Sequence, residues 1–134
     1  MPHPTPTRSR LSRLLAQAAV ALTLLTGGLA LPDAAQAQGY GAIAYSPATG
    51  QWGWSRGYRT RAQAYTRAMN ECRARGRGCQ VVVQVQHACA SLATGPRGWG
   101  AGWGYTLARA NAEALGACRR HSRNCSVRVN FCSN

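Results

Sequence analysis

The sequence predicts a small disulfide-stabilised α+β domain, made of duplicated β-β-α-β units with internal pseudo-two-fold symmetry and a mainly antiparallel sheet carrying two helices. Three observations predict it. The stretch from Trp52 to Tyr58, W-G-W-S-R-G-Y, returns as Trp99 to Tyr105, W-G-A-G-W-G-Y. A shift of 46 residues puts Thr60 on Thr106, Ala68 on Ala114, Cys72 on Cys118, Cys79 on Cys125 and Val83 on Val129. All six cysteines lie beyond residue 71, and an even number in a short exported chain reads as a disulfide framework.

The export expectation comes from the first 37 residues. Arg8, Arg10 and Arg13 precede an uncharged apolar run from Leu14 to Leu31, and Ala35-Gln36-Ala37 follows as a small-residue cleavage site. That is the pattern of a secretory signal peptide. Residues 38–134 then form one domain, with unit one at 40–86 and unit two at 87–132, and no later run is long enough to span a bilayer. Localisation in the periplasm or outside the cell follows.

Each unit is read in the same order. Tyr40 to Ser46 is a short strand, matched by Ala88-Cys89-Ala90 opposite Ala42-Ile43-Ala44. A glycine-containing turn leads to the aromatic strand, expected at the centre of the sheet. Alternation places Trp52, Trp54, Arg56 and Tyr58 on one face and Gly53, Ser55 and Gly57 on the other. In the copy, Trp99, Ala101, Trp103 and Tyr105 oppose Gly98, Gly100, Gly102 and Gly104, whose bare surface suits an alanine-rich helix.

The helices start at Thr60, with Gln63 completing a capping box, and at Thr106. Ala62, Tyr65, Met69 and Cys72 fall on one face of the first, and Ala108, Ala112, Leu115 and Cys118 on one face of the second. Gly76 and Gly78, or Ser122 and Asn124, stop them. Val81, Val83 and Val85, then Val127, Val129 and Phe131, alternate as closing strands with one buried face.

The helix ends between Cys72 and Cys79, because an unbroken helix would hold these residues about 10 Å apart, too far for a bridge. The pairs expected are Cys72–Cys79, its copy Cys118–Cys125, and Cys89–Cys132; the spacings favour this set without excluding others. Zinc on Cys118, His121 and Cys125 is the competing use, but Arg75 stands where His121 does and export favours oxidation. No metal and no cofactor is expected.

Beyond Ala37 the chain has 13 Arg and no Lys or Asp, against Glu71 and Glu113 alone, a net charge of +11. Such a field draws polyanions or an acidic protein. Arg73, Arg75 and Arg77 lie between the first cysteine pair and Arg119, Arg120 and Arg123 between the second, so two rigid loops present guanidinium forks suited to phosphate or carboxylate. Arg56, Arg59 and Arg61 add a third cluster. The aromatics Trp52, Trp54, Tyr58, Trp99, Trp103 and Tyr105 are either core or a stacking platform; their size favours core. The glycine run lacks the spacing of a phosphate-binding loop.

Tyr40-Gly-Ala-Ile-Ala-Tyr-Ser46, Trp52 to Tyr58, the alanine-spaced helix ending in Cys72, and Cys79-Gln-Val-Val-Val leading to Ala88-Cys-Ala90 together resemble the bacterial secreted family called domain of unknown function 4189. The likeness runs from Tyr40 to Cys132. It implies an exported, cysteine-containing small domain with no assigned reaction, so no catalytic residue carries over.

Arg67 with Glu71 and Arg109 with Glu113 are spaced for helix ion pairs. That leaves His87 and His121 as the acid–base pair of any secreted ribonuclease-like hydrolase. The leading expectation is a non-catalytic basic binding module for an anionic partner; a protein-binding inhibitor or effector is the third class.

Overall fold

The computed structural model describes residues 39–134; the expected signal segment, residues 1–37, lies outside the described residues. Two helices and two antiparallel three-stranded sheets make a small α+β domain. Strands β1 (Tyr40–Tyr45), β2 (Trp52–Tyr58) and β3 (Gln80–Gln86) form one sheet in the order β2-β1-β3, with helix α1 (Arg61–Arg73) between β2 and β3 in the chain. Strands β4 (Ala88–Gly95), β5 (Gly98–Gly104) and β6 (Ser126–Ser133) form the other as β5-β4-β6, with α2 (Leu107–Arg119) before β6.

The aromatic strands β2 and β5 are thus sheet edges and not centres. Burial explains why. Residues 41–45 of β1 and 88–93 of β4 are buried without a break, while β2 carries the exposed Arg56 and β5 the exposed Trp103. A strand covered on both faces needs a continuous run of small or apolar side chains, and only β1 and β4 supply one.

The sheets face each other and the helices lie outside. Ile43, Tyr45 and Val85 of one sheet meet Ala88, Ala90, Leu92 and Phe131 of the other, with Trp52, Trp54 and Trp99 packed against them. Two ring pairs cross between the sheets, Tyr45–Trp99 and Trp54–Phe131, each with centroids 5.5 Å apart. On the outer faces, α1 covers Ala42 and Ala44, and α2 covers Ala93.

Each helix is 13 residues long and starts at a threonine whose hydroxyl accepts a backbone N–H, from Gln63 to Thr60 and from Arg109 to Thr106. The buried rows are Ala64, Ala68, Met69 and Cys72, and Ala110, Ala114 and Cys118. Ala62, Tyr65, Ala108 and Ala112, expected on the inner faces, are exposed. The glycines decide the rotation: a Cβ on Gly53 would strike the backbone of Ala68 and Cys72, and one on Gly100 that of Ala114 and Cys118. Where the backbones approach so closely, alanine and cysteine fill the contact, with Met69 beside them, and the Tyr65 ring stays outside.

Strand pairing also corrects the alignment of the first strands. Ile43 pairs with Trp54 and Val83, while Leu92 pairs with Ala101 and Val129. The position matching Ile43 is therefore Leu92, and Cys89 matches Tyr40. In β3 and β6 the pairing skips Val82 and Arg128, so Val81 turns to the helix side and the simple alternation of valines is broken.

Disulfides join Cys72 to Cys79, Cys118 to Cys125 and Cys89 to Cys132, and no described cysteine is free. The first two tie a helix end to the strand that follows. Cys89 and Cys132 sit directly opposite each other on β4 and β6.

Candidate functional site

The first cysteine loop is seated on the β1–β2 turn. The Ser46 hydroxyl donates to the Arg77 carbonyl and accepts from the Thr49 N–H. The second loop is seated on the β4–β5 turn from the opposite side: Ser122, within the loop, donates to the Arg123 carbonyl and accepts from the Arg97 N–H. The same carbonyl is held in both places by a serine from a different element. Gly95 leaves the room this needs, since a Cβ there would press on the Ser122 hydroxyl.

The two turns meet at one groove of about 760 Å³, lined by Tyr45 and Pro47 from the first and by Gly95, Pro96 and Arg97 from the second, with Trp99, Ala117 and His121. A second opening of about 530 Å³, lined by Arg97, Arg119, His121 and Arg123, adjoins it. A third, of about 500 Å³, follows β5 past Trp103, Tyr105, Arg109, Glu113 and Arg120; it shares Ala101 and Ala117 with the first.

Of the loop arginines, Arg73, Arg77, Arg119, Arg120 and Arg123 are exposed. Arg75 is engaged: its guanidinium lies 5.6 Å from the Trp52 ring centroid, donates to the Trp52 carbonyl at 3.3 Å and pairs with Glu71 at 3.3 Å. Glu71 therefore takes Arg75 as its partner and not Arg67, because its other oxygen reaches back to the Trp54 N–H at 3.3 Å. Glu113 pairs with Arg109 at 2.7 Å. Both acids of the described residues are thus committed, Glu71 to the loop arginine Arg75 and to β2, and Glu113 to Arg109 on its own helix.

On β2, Arg56 lies over Trp54, 5.9 Å from its centroid, and beyond that strand Arg59 is exposed; Arg61 starts α1 and bonds Gln84 of β3, the opposite edge, at 3.5 Å. The structure divides the aromatics. Trp52, Trp54 and Trp99 belong to the core between the sheets. Tyr58 packs on the helix side with Ala64 and Met69, contrary to strict alternation. The cause is Gly57: its φ of 72° lies in the left-handed region, and the pairing slips between Tyr40 and Ala42, so the strand turns over. Trp103 and Tyr105 are 54% and 79% exposed and meet edge to face at 5.7 Å.

His87 and His121 are not brought together. His87 directly precedes β4, and His121 lies against Gly98, which pairs with Gly95 at the far end of that strand. Eight residues of extended chain separate the two ends by about 25 Å. Cys118 and Cys125 are bonded to each other, and the described residues hold no cluster of three or more His, Cys, Asp or Glu that could bind a metal.

The model of the family described as domain of unknown function (DUF4189) matches residues 40–132. The chain belongs to that family. Among curated proteins this DUF4189 member is 42% identical over 76 residues to Protein Rv1269c and Protein MT1307 of Mycobacterium tuberculosis and to Protein Mb1300c of Mycobacterium bovis. The match covers 57% of this chain and 58% of each relative, so it reaches little more than half their length. No solved structure matches.

Proposed function

We propose that this DUF4189 protein is an exported, non-catalytic binding module that holds an anionic partner at the end of the molecule where its two arginine loops sit. One observation carries the reading: both disulfide-closed loops are seated on the two turns that line a single groove. Arg97 in the groove and Arg119, Arg120 and Arg123 in the openings that adjoin it can grip one phosphate or carboxylate chain, and guanidinium forks suit that task. The pairing of Glu71 with Arg75 and of Glu113 with Arg109 supports it further, because it takes only Arg75 from the loops and leaves Arg73, Arg77, Arg119, Arg120 and Arg123 exposed.

Export is supported by three disulfides, which form and persist in oxidising compartments. No helix among the described residues is long and apolar enough to cross a membrane. The duplicated, pseudo-two-fold architecture belongs to the same reading. Its support is two helices of equal length with like caps, and two sheets with the same strand order.

The test is binding of the oxidised protein to heparin and to polyphosphate across a salt series. Affinity should fall steeply as salt rises, since these contacts are screened. Retention that is indifferent to salt overturns the reading. Co-purification of one stoichiometric acidic protein, with no affinity for either polymer, would replace it by the inhibitor or effector role.

A further inference from the structure

In the first half of the chain, the space beside Trp52 at the end of α1 is filled. Arg75 lies over the indole, and Glu71, one turn earlier, holds the guanidinium there. By the 46-residue offset, the matching positions are His121, just beyond α2, and Ala117 on it, and with one residue more Trp99 takes the place of Trp52. Ala117 has no carboxylate to position a cation, and His121 is exposed at the groove margin. The space closed by an ion pair in one half is the 760 Å³ groove in the other.

That groove does not end at Trp99. Through Ala101 and Ala117 it continues into the opening beneath Trp103 and Tyr105, so a trough follows the outer edge of β5. Trp99 and Trp103 stand four residues apart on this strand, about 13 Å along it. Arg97 marks one end of the trough, Arg120 sits near where its two openings join, Arg109 stands at the far end against Gly104, and the one acid, Glu113, is already paired with Arg109. An edge strand also leaves backbone N–H and C=O groups unpaired along its outer side.

We propose that this trough binds a uronate-bearing oligosaccharide, with a sugar ring against the exposed face of Trp103 and carboxylates on Arg97 and Arg120. The proposal rests on the anion-binding reading above and names its substrate class and place. Apolar ring faces, planar carboxylates and hydroxyls seeking backbone partners are what the trough offers in alternation. A single-stranded nucleic acid fits it less well: the Trp103–Tyr105 pair meets at 86°, which presents one stacking face and not a series of them.

Binding of oligogalacturonate is measured by tryptophan fluorescence and calorimetry, beside a neutral oligosaccharide of equal length, oligo-dT and oligoglutamate. The wild-type protein should bind oligogalacturonate best and the neutral sugar at least tenfold more weakly. Trp103→Ala and Arg120→Ala, both at exposed positions, should each weaken binding about tenfold with an unchanged melting temperature. Ala117→Glu with His121→Arg, which rebuilds the first-half arrangement, should weaken it as much or more; Arg73→Ala with Arg77→Ala should change it less than threefold. If polyanions bind but respond only to Arg73 and Arg77, the trough assignment is wrong while the anion reading stands. If no anion binds, both fail. If oligo-dT or oligoglutamate outcompetes the uronate and depends on Trp103, the glycan assignment is overturned.

Discussion

At one place the first half of the chain spends two charged side chains to cover a tryptophan, and the second half leaves the matching place open. Arg75 and Glu71 close the side of Trp52, whereas His121 and Ala117 leave Trp99 lining a groove. The two halves share helix length, cap, cysteine loop and strand order. Their difference teaches that the scaffold does not require the groove. A like arrangement of strands and helix stands with it filled.

The largest expected effect separates the bond that only the second half has. Replacing Cys89 and Cys132 by alanine opens a loop spanning 43 residues and should cost about 4 kcal/mol; opening either short pair, spanning 7, should cost about 2.5, read from the shift in denaturant midpoint. Equal losses from all three would mean that the cross-strand bond does not constrain the unfolded chain as its span implies.

Next is a graft between halves. Ser55 sits under α1 and bonds the Ala64 carbonyl and the Ala42 N–H, while its counterpart Gly102 has a backbone N–H of α2 where a Cβ would go. Gly102→Ser should therefore destabilise by about 1–3 kcal/mol, although serine is native in the other half. A neutral result would show that α2 can lift as far from its sheet as α1.

A third pair of substitutions should differ in sign. Ser55→Ala removes a buried hydroxyl with two partners and should cost about 1–2 kcal/mol, whereas Ser91, fully buried with no hydrogen-bond partner, should be neutral or stabilised by up to about 1 kcal/mol on change to alanine. Both are read from thermal or urea melts. The same sign for both would remove the contrast.

The smallest effects address the groove itself. Glu71→Ala with Arg75→His should open a groove beside Trp52 at a cost of about 1 kcal/mol, since the pair is partly exposed. Ala117→Glu with His121→Arg should change stability by only about 0.5 kcal/mol while closing the other. A crystal structure of each variant checks the geometry directly.

The elements were legible because each has a local cause: threonine caps, glycines that break a helix before a cysteine, and strands that alternate. The α+β class and the repeated order of elements follow from those. What escaped the sequence depends on contacts between elements. Tyr58 changed face because Gly57 takes a positive φ, which no alternation rule anticipates. Glu71 chose Arg75 over Arg67 because the Trp54 backbone draws its carboxylate towards the sheet. Trp103, foreseen as core beside Trp99, is exposed because β5 is an edge strand. The trough needs the third dimension altogether, although the exchange of Glu71 and Arg75 for Ala117 and His121 was visible in the repeat and was its one available signal.

The nesting of the disulfides bears on how the native chain is reached. Cys118–Cys125 lies inside the span of Cys89–Cys132. An oxidant that joined thiols strictly in order of synthesis would make Cys72–Cys79 correctly, then trap Cys89 with Cys118 and strand Cys125 with Cys132. The first half can thus be oxidised as it emerges, while the second must wait for its final strand or be rescued by thiol–disulfide exchange.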